Sequence, residues 1–478
     1  MADTALLARR LANFRAARAT ERVAEQPPAP QRRSRTRELA AKLADALDGQ
    51  AVATPHGTVV RLESPARPVA IDRAALARLP GQPPADAPLV CLDTETTGLG
   101  TAAGTVAFLV GLGWWEGQRF RQVQLLLPDH SEEVALLEML ATLIPAHAWL
   151  VTYNGRGFDW PLLVTRFRMA GRDAPPHAGH LDLLTVVRRL FRHRMTDARL
   201  RTAEDALLGM GRADDVEGWE IPGRYLTFLR GGNPAGLLPV VDHNDHDVRS
   251  LARLLVHLAD ELGDDDRRRA ASDGDLLGLA RSYQREQRPL EAMACLDLAL
   301  SRPPLTSLHA RRSGSRVPPA WLVDRSDGIA SAIAELSAAR DARLTRDQIA
   351  RERARLLRRL GNPGDARRAW RELAARGGPL AALALVELAK LLEHVERDFA
   401  GALAAVAEAE TLADRSWRVG QPLPLGESDL ARRRARLLRR AEAATPRDAP
   451  AGSLRVRADV GRDGPPAHAT VAHALANR

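Results

Sequence analysis

Cysteine, lysine and aromatic residues are scarce in this 478-residue chain, and each scarcity restricts its chemistry. The two cysteines, Cys91 and Cys295, are far apart in sequence, so neither a disulfide framework nor a thiolate zinc site is expected. Aromatic residues make up only 4% of the chain, which argues against a platform that binds nucleic-acid bases by stacking. Only two of the 69 basic residues are lysines, and the arginines that remain are suited to bidentate phosphate contacts.

Long apolar runs are absent as well. No stretch approaches the ~20 residues that span a bilayer, and the N-terminus lacks the apolar core of a secretory signal. We therefore expect a soluble cytoplasmic protein that does not bind membranes. Its formal charge of +9 favours a polyanionic partner such as nucleic acid, although a solvated surface without a partner would carry the same charge.

Shifts in composition divide the chain, which is too long for one ordinary core. The arginine-rich N-terminus predicts a basic, disordered arm. A helix at Glu38–Leu47, a small hairpin at Thr54–Glu63 and a proline-rich linker are predicted next. An α/β domain, a helical region and a disordered tail rich in Pro, Gly and Arg are expected to follow. The five predicted segments are 1–38, 39–87, 88–262, 273–445 and 446–478.

Strand and helix patterns alternate over residues 88–262, which predicts an α/β layer fold. A helix from Ser131 to about Leu143 has two glutamates in its first turn, where the helix dipole favours them. Apolar residues at helical spacing predict a final long helix at Val240–Leu262. The predicted strands are 89–93, 106–115, 119–127 and 149–153.

Residues 273–445 have helical patterns only, with a weak repeat of small residues. Ala354 and Ala389 are 35 residues apart, close to the ~34-residue period of a tetratricopeptide unit. A plain helical bundle would have much the same pattern. A Pro- and Arg-rich insertion at about 302–345 interrupts the repeat.

Four carboxylates occur in three short segments of this otherwise basic chain. Asp93 and Glu95 are two residues apart on a predicted strand, so they point to the same face. Asp159 follows the strand predicted at 149–153, and Asp247 ends the third segment, His243–Asp247, on the long helix. Adjacent carboxylates repel unless a cation or proton lies between them, and hard divalent ions prefer oxygen ligands. A basic protein with such a cluster is a candidate for two-metal cleavage of phosphodiesters.

The order of these segments resembles that of the DEDD 3′–5′ exonucleases, which have a ribonuclease H-like fold. Asp93-x-Glu95-x-Thr97-Gly98 is similar to their first motif, Asn154-x-x-x-Phe158-Asp159 to their second, and the helix with Asp247 to their third. Residues 39–262 resemble more closely the bacterial YprB-type ribonuclease H-like proteins. Supporting stretches are Thr54–Gly57, Ala107–Gly111 and His180–Leu184. The expected fold is an α/β ribonuclease H-like domain, with a mixed central sheet flanked by helices, followed by an all-α helical-repeat region.

This resemblance implies a role for each carboxylate. Asp93 would bridge two Mg²⁺ or Mn²⁺ ions, Glu95 and Asp247 would complete one site, and Asp159 would serve the other. The resemblance also directs attention to substrate contacts near the first two motifs. The candidate substrate-binding residues are Thr96, Asn154, Phe158 and Arg156, and Arg156 is open to the alternative of a plain surface arginine. Asp182 is a candidate supporting acid.

His243 departs from the superfamily pattern. The general base there is a Tyr four residues before the last Asp or a His usually five before it, whereas here a His is four before Asp247. An imidazole titrates near neutrality and can accept a proton from water, so His243 is a candidate base. The alternative is that it only caps or packs on the helix.

Three functions follow as hypotheses. The first is a metal-dependent nuclease that acts on DNA or RNA, in the form of a 3′–5′ exonuclease, with a helical region that binds a protein partner or guides the strand. The second is a nuclease-like scaffold with weak activity that binds nucleic acid or protein through its helices. The third is a structure-selective endonuclease on the same fold.

Overall fold

The structure is a computed structural model, and it describes residues 29–98, 104–212, 215–302, 325–418 and 427–444. The chain divides after Leu380 into two compact units. The predicted arm up to residue 28 and the predicted tail lie outside the described residues. Residues 29–38, which the sequence assigned to the arm, are helical, so that part of the prediction is wrong.

A mixed seven-stranded sheet forms the centre of the first unit, and it confirms the predicted fold class. Its order is β1-β2-β5-β4-β3-β6-β7, in which β3, β6 and β7 are parallel and the other pairings are antiparallel. The strands are β1 Gln50–Thr54, β2 Gly57–Pro68, β3 Leu89–Thr96, β4 Ala107–Glu116, β5 Arg119–Leu126, β6 Trp149–Thr152 and β7 Gly179–Asp182. The four-residue β7 is too short for its alternation to be predicted from sequence.

The predicted hairpin is present but belongs to this sheet. β2 pairs with β5, and Val60 lies opposite Leu126. An isolated two-stranded hairpin is marginally stable, and the apolar face of β2 needs a partner. Val59, Val60 and Leu62 are buried in the main core. The boundary predicted at residue 88 is therefore wrong, because residues 39–87 complete the α/β domain.

Helices flank the sheet. Their ranges are α1 Ala29–Ala46, α2 Arg73–Arg78, α3 Glu133–Leu143, α4 Asp159–Met169, α5 Leu183–Leu190, α6 Leu200–Ala203, α7 Ile221–Leu229 and α8 Leu238–Leu262. Short 3₁₀ turns occur at His130–Glu132, Arg192–Arg194 and Pro234–Leu237, and α6 continues as a π turn at Glu204–Leu208. None of the helices in the described ranges is both long and apolar enough to span a bilayer.

The 25-residue α8 lies directly against β3, β4 and β5. Pro239 is in its first turn, and the apolar row that contains Val248, Leu251 and Leu255 is buried. Gly111 on β4 makes this close approach possible. A Cβ atom there would lie 2.8 Å from Val248 Cγ2 and closer still to Asn244 Oδ1. The sheet thus holds the polar N-terminal half of α8 next to β3.

The rest of the described chain is helical, as predicted. The first unit ends with α9 Asp265–Arg268, α10 Asp273–Arg285, α11 Pro289–Ser301, α12 Arg325–Arg359 and α13 Pro363–Ala375. The second unit contains α14 Ala381–Leu391, which continues as a π turn at Leu392–Glu396, then α15 Phe399–Arg418 and α16 Glu427–Ala444.

Two boundaries in this region differ from the prediction. α10 packs closely on α5, and a Cβ atom at Gly278 would lie 2.9 Å from Leu190 Cα. The first helices therefore join the sheet in one unit, and the unit boundary falls at Leu380 instead of between 262 and 273. The predicted insertion at 302–345 is helical from residue 325 onward, because α12 begins there.

Candidate active site

The structure brings the four carboxylates of the three sequence segments together. Asp93 and Glu95 lie near the carboxyl end of β3, and Asp159 is the first residue of α4. Asp247 lies on α8. Burial, followed by the charges of Asp247 and Asp159, raises the pKa of Asp93 well above its usual range. The carboxylates are therefore near enough to repel one another.

The other three acids have the same electrostatic character. Burial, with the charges of Asp93 and Asp247, raises the pKa of Glu95 well above its usual range. Burial raises the pKa of Asp159 to about 6, although a hydrogen bond from Thr94 opposes the shift. Burial also raises the pKa of Asp247. Crowded buried acids are stabilised when a cation or a proton lies among them.

Polar side chains fix the orientation of two of these acids. Thr94 Oγ1 donates to Asp159 Oδ1 at 2.5 Å, and Asn244 Nδ2 donates to Asp93 Oδ2 at 2.8 Å. Asn244 is fully buried at 0% exposure, and its Oδ1 accepts from Gln124 Nε2 at 2.9 Å. Asn244 lies inside the third sequence segment, yet an amide has no sequence pattern that marks it as a partner of Asp93.

Arg212 introduces a cation that the sequence did not predict. Its Nε donates to Glu204 Oε2 at 2.7 Å and its Nη1 to Asp215 Oδ2 at 3.0 Å. Its Nη2 lies 2.5 Å from Asp247 Oδ1. Burial lowers the pKa of Arg212, but the hydrogen bond to Glu204 and the charge of Asp247 outweigh burial and raise it.

His243 faces the cluster from α8. Its Nδ1 lies 2.7 Å from Asp215 Oδ1, while its Nε2 is 3.9 Å from Glu95 Oε1 and 3.8 Å from Asp247 Oδ2. Burial raises the pKa of Asp215, but hydrogen bonds from His243 and Arg212 outweigh burial and lower it. A carboxylate on Nδ1 keeps the proton there and leaves Nε2 as the basic nitrogen. Asp215 is thus a second residue that the sequence did not reveal.

The candidate substrate residues lie beside the cluster. Asn154, Arg156 and Phe158 are on the loop that leads into Asp159, and Asn154 has a left-handed φ of 69°. Asp182 accepts from Asn154 N at 2.8 Å and from Arg156 N at 3.2 Å, so it shapes this loop. Thr96 is buried next to Glu95, and its hydroxyl donates to Gly98 O at 2.7 Å.

The donor set fits hard divalent cations. The raised pKa values of Asp93 and Glu95 reflect an excess of negative charge at this point, although Asp247 Oδ1 lies 2.5 Å from Arg212 Nη2. Carboxylate oxygens are the ligands that Mg²⁺ and Mn²⁺ prefer. Among the described residues, no three His, Cys, Asp or Glu side chains lie close enough together to coordinate one metal ion as they stand. Arg212 stands beside Asp247, where an ion would compete with it.

A mixed sheet with acids on the inner strand β3, crossed by a helix that bears another acid, is an arrangement similar to that of ribonuclease H-like domains. The sequence profile of the RNase_H superfamily matches residues 90–259, which confirms the predicted ribonuclease H-like resemblance of this domain. The chain is also similar to the uncharacterized protein YprB of Bacillus subtilis (strain 168), with 39% identity over 176 residues. That stretch is 36% of this chain and 42% of the relative, so the chain spans less than half of the relative's length.

Proposed function

We propose that the protein is a divalent-metal-dependent nuclease that hydrolyses phosphodiesters of DNA or RNA, in the form of a 3′–5′ exonuclease. One observation carries the proposal. Four acids from β3, α4 and α8 meet on a ribonuclease H-like sheet, and burial raises the pKa of each. Such acids favour a bound cation, and the basic chain favours a polyanionic substrate.

In this proposal the four carboxylates would hold two Mg²⁺ or Mn²⁺ ions. Asp93 would contribute to both sites, Glu95 and Asp247 would complete one, and Asp159 would serve the other. When bound, such ions polarise the phosphoryl oxygens and neutralise the charge that develops on the leaving 3′-oxygen. Thr94 and Asn244 keep Asp159 and Asp93 in orientation through the hydrogen bonds described above.

His243 is proposed as the general base. Its Nε2 accepts a proton from the water that attacks phosphorus, and Asp215 retains the proton on Nδ1 and stabilises the imidazolium that forms. Thr96, Asn154, Phe158 and Arg156 are proposed to contact the terminal nucleotides, since they border the cluster. The leaving 3′-oxygen takes up a proton from solvent at the end of the reaction.

The test is cleavage of end-labelled single- and double-stranded DNA and RNA with Mg²⁺, with Mn²⁺ and with EDTA. We expect metal-dependent release of mononucleotides from the 3′ end. Asp93→Ala should lower turnover by at least about 100-fold, since removal of even an outer partner of a metal ligand costs about 10–100-fold. The exposed helical acid Asp45→Ala serves as the matched control and should remain active. Equal cleavage by the wild type and Asp93→Ala would remove the proposal.

Arg212 favours one alternative, a nuclease-like scaffold with weak activity. Its guanidinium lies beside Asp247 and provides from within the chain a charge that an ion would otherwise supply. Binding of nucleic acid by the wild-type protein, without metal-dependent cleavage of it, would favour the scaffold.

For the C-terminal helices we propose that they pair as in tetratricopeptide units and bind a protein partner. The largely exposed side chain of Trp417 on α15 supports this proposal.

A further inference from the structure

A groove follows one side of α8, next to the candidate active site. It consists of two adjoining cavities of about 420 Å³ and about 960 Å³, which share Met210, Arg249 and Arg253. The smaller cavity includes His243 and Arg212, and the larger one extends toward the C-terminal end of α8. We call the two together the α8 groove.

One face of α8 lines this groove along its length. The lining residues recur at alternating steps of four and three, which places them on a single helical stripe. They are Asp242, His246, Arg249, Arg253, Val256 and Asp260. The stripe is about 27 Å long at the rise of an α-helix. It lies beside the face that carries His243 and Asp247.

Two arginines that lack acidic partners in the described ranges, Arg67 and Arg253, line the larger cavity. Within the described residues, Arg67 makes no ion pair, and Arg253 donates only to Met210 Sδ at 2.8 Å. Arg249 is paired with Asp245, but it is 9% exposed and its Nε is buried without a hydrogen bond. Burial, with the charges of Arg249 and Arg67, lowers the pKa of Arg253. Like charges brought together in this way favour a bound anion, as the carboxylates favour a cation.

The acids of the groove do not neutralise these arginines. Asp260 lies 3.9 Å from Arg267, and Asp266 lies 3.3 Å from Arg269. Glu204 is held by Arg212. Within the described residues, no acid that lines the groove forms an ion pair with Arg67 or Arg253, whereas Arg249 is held by Asp245.

The floor of the larger cavity is apolar. It contains Leu207, Leu208, Met210 and Val256, and its lining residues include the ring of His257 but no Phe, Trp or Tyr. The apolar floor of the cavity and the arginines beside it together suit an amphipathic ligand that carries several negative charges. A cavity of about 960 Å³ is at the upper end of the size range of small-molecule pockets, and this size suits one strand better than a duplex.

We propose that the α8 groove holds the sugar-phosphate backbone of a single nucleic-acid strand that leads to the carboxylate cluster, with Arg67 and Arg253 in contact with phosphates. The proposal rests on the proposed nuclease function and names its substrate as single-stranded. Because the cavity has no Phe, Trp or Tyr on which bases could stack and the contacts are to phosphates, we expect binding to be independent of base sequence.

The experiment measures binding of the full chain to a 5′-fluorescein-labelled 16-nucleotide single strand, in EDTA, by anisotropy at several salt concentrations. For single strands, each phosphate contact contributes about 0.7 to the slope of log K against log salt. Arg67→Ala combined with Arg253→Ala should lower the slope by about 1.4 and weaken binding about 20-fold at 0.1 M salt. Arg253→Lys should retain most of the binding, because it retains the charge.

Arg168→Ala is the matched control, since Arg168 is an exposed arginine at the far end of α4. The groove proposal is overturned if the double variant binds with unchanged affinity and slope, or if Arg168→Ala loses as much. It is equally overturned if duplex binds as tightly as the single strand, or if polyglutamate competes as well as the oligonucleotide. Binding through the groove without metal-dependent cleavage would refute the nuclease function alone, and cleavage with no effect of the double variant would refute the groove alone.

Discussion

Arg212 shows how much of the candidate site depends on single residues outside the sequence segments. Its guanidinium contacts Glu204, Asp215 and Asp247, which come from three separate parts of the chain. Through Asp215 it is linked to the ring of His243, and through Asp247 to the carboxylate cluster. One cation thus holds both the candidate base and one candidate metal ligand.

We predict that Arg212→Ala destabilises the protein and raises its response to metal. Glu204, at 1% exposure, would lose its partner, and removal of one member of a buried ion pair costs about 3–5 kcal/mol. Mg²⁺ should then stabilise the variant more than the wild type, because the ion no longer competes with a guanidinium for Asp247. Urea unfolding with and without Mg²⁺ measures both effects.

Arg201→Ala provides the control for this prediction. Arg201 lies on α6, eleven residues before Arg212, and its exposed pair with Glu217 is 3.8 Å long; such pairs contribute about 0–1 kcal/mol. If Arg212→Ala lowered the free energy of unfolding no more than Arg201→Ala, the proposed role of Arg212 in the buried ion pair would be wrong.

Sequence identified the candidate acids but not the residues that orient them. Asp93 and Glu95 share a strand face, and their spacing alone predicts that they act together. Arg212, Asp215 and Asn244 acquire their roles only when distant elements meet. A lone arginine in a loop or an amide in a helix has no periodic pattern, so the sequence could not distinguish these residues from surface ones.

At the scale of elements, the contact between β4 and α8 positions the third segment. Gly111 faces Asn244 and Val248, and no side chain can be added there without displacement. Asn244 in turn donates to Asp93. The glycine on β4 therefore determines how closely the helix brings Asp247 and His243 to β3.

We predict that Gly111→Ala lowers both stability and turnover. A methyl group would overlap Asn244 Oδ1 and lie 2.8 Å from Val248 Cγ2, and overpacking costs about 1–3 kcal/mol. The displaced Asn244 would no longer orient Asp93, so turnover should fall more than stability alone explains. Thermal unfolding and the cleavage assay, at a temperature where the variant is folded, separate the two.

Gly223→Ala is the control at this scale. Gly223 lies in α7 with no neighbour within 4 Å of the added Cβ, and helical Gly to Ala gains up to about 1 kcal/mol. If both substitutions had the same effect on stability, close approach at Gly111 would not be the cause.

The positions of helices and strands were predicted better from the sequence than the pairing of the strands. The strands near 89–93, 106–115 and 119–127 and the long helix at 240–262 are present with small shifts of boundary. The hairpin was also identified, but its pairing with β5 was not, because strand pairing over some 60 residues depends on which apolar faces meet. The helix at 325–345 was missed because proline and arginine nearby obscured its pattern.

At the scale of the whole molecule, each of the two compact units has its own charged interior. In the second unit Glu393 is 1% exposed and is held by three arginines of α16. They are Arg433 at 3.3 Å, Arg436 at 2.7 Å and Arg440 at 3.1 Å. Burial raises the pKa of Glu393, but hydrogen bonds and charges led by Arg436 outweigh burial and lower it.

We predict that Glu393→Gln destabilises the second unit in a pH-dependent way. A lowered pKa in the folded state means that the stabilisation is present above the pKa of the unfolded chain and is lost as pH falls through the folded-state value. The variant should lose about 1–3 kcal/mol at pH 7, and the difference from wild type should shrink below about pH 4. Hydrogen exchange of α14 and α16 measures the loss.

Amides of β3 should be unaffected by Glu393→Gln, because they belong to the first unit. Glu408→Gln, an exposed acid of α15, is the control and should change neither unit. Faster exchange of β3 in the Glu393 variant would mean that the two units do not unfold separately.

The spacing of two residues on α8 has a consequence for the length of substrate that the protein would bind. Asp247 and Arg253 are six residues apart on one rigid helix, which corresponds to about 9 Å of rise. The helix would therefore fix the distance between the two positions, Asp247 and Arg253, at which a bound strand is held. Oligonucleotides too short to reach from the carboxylates to Arg253 would be cut with a higher KM, and the length at which KM stops falling would report the spacing of these two residues.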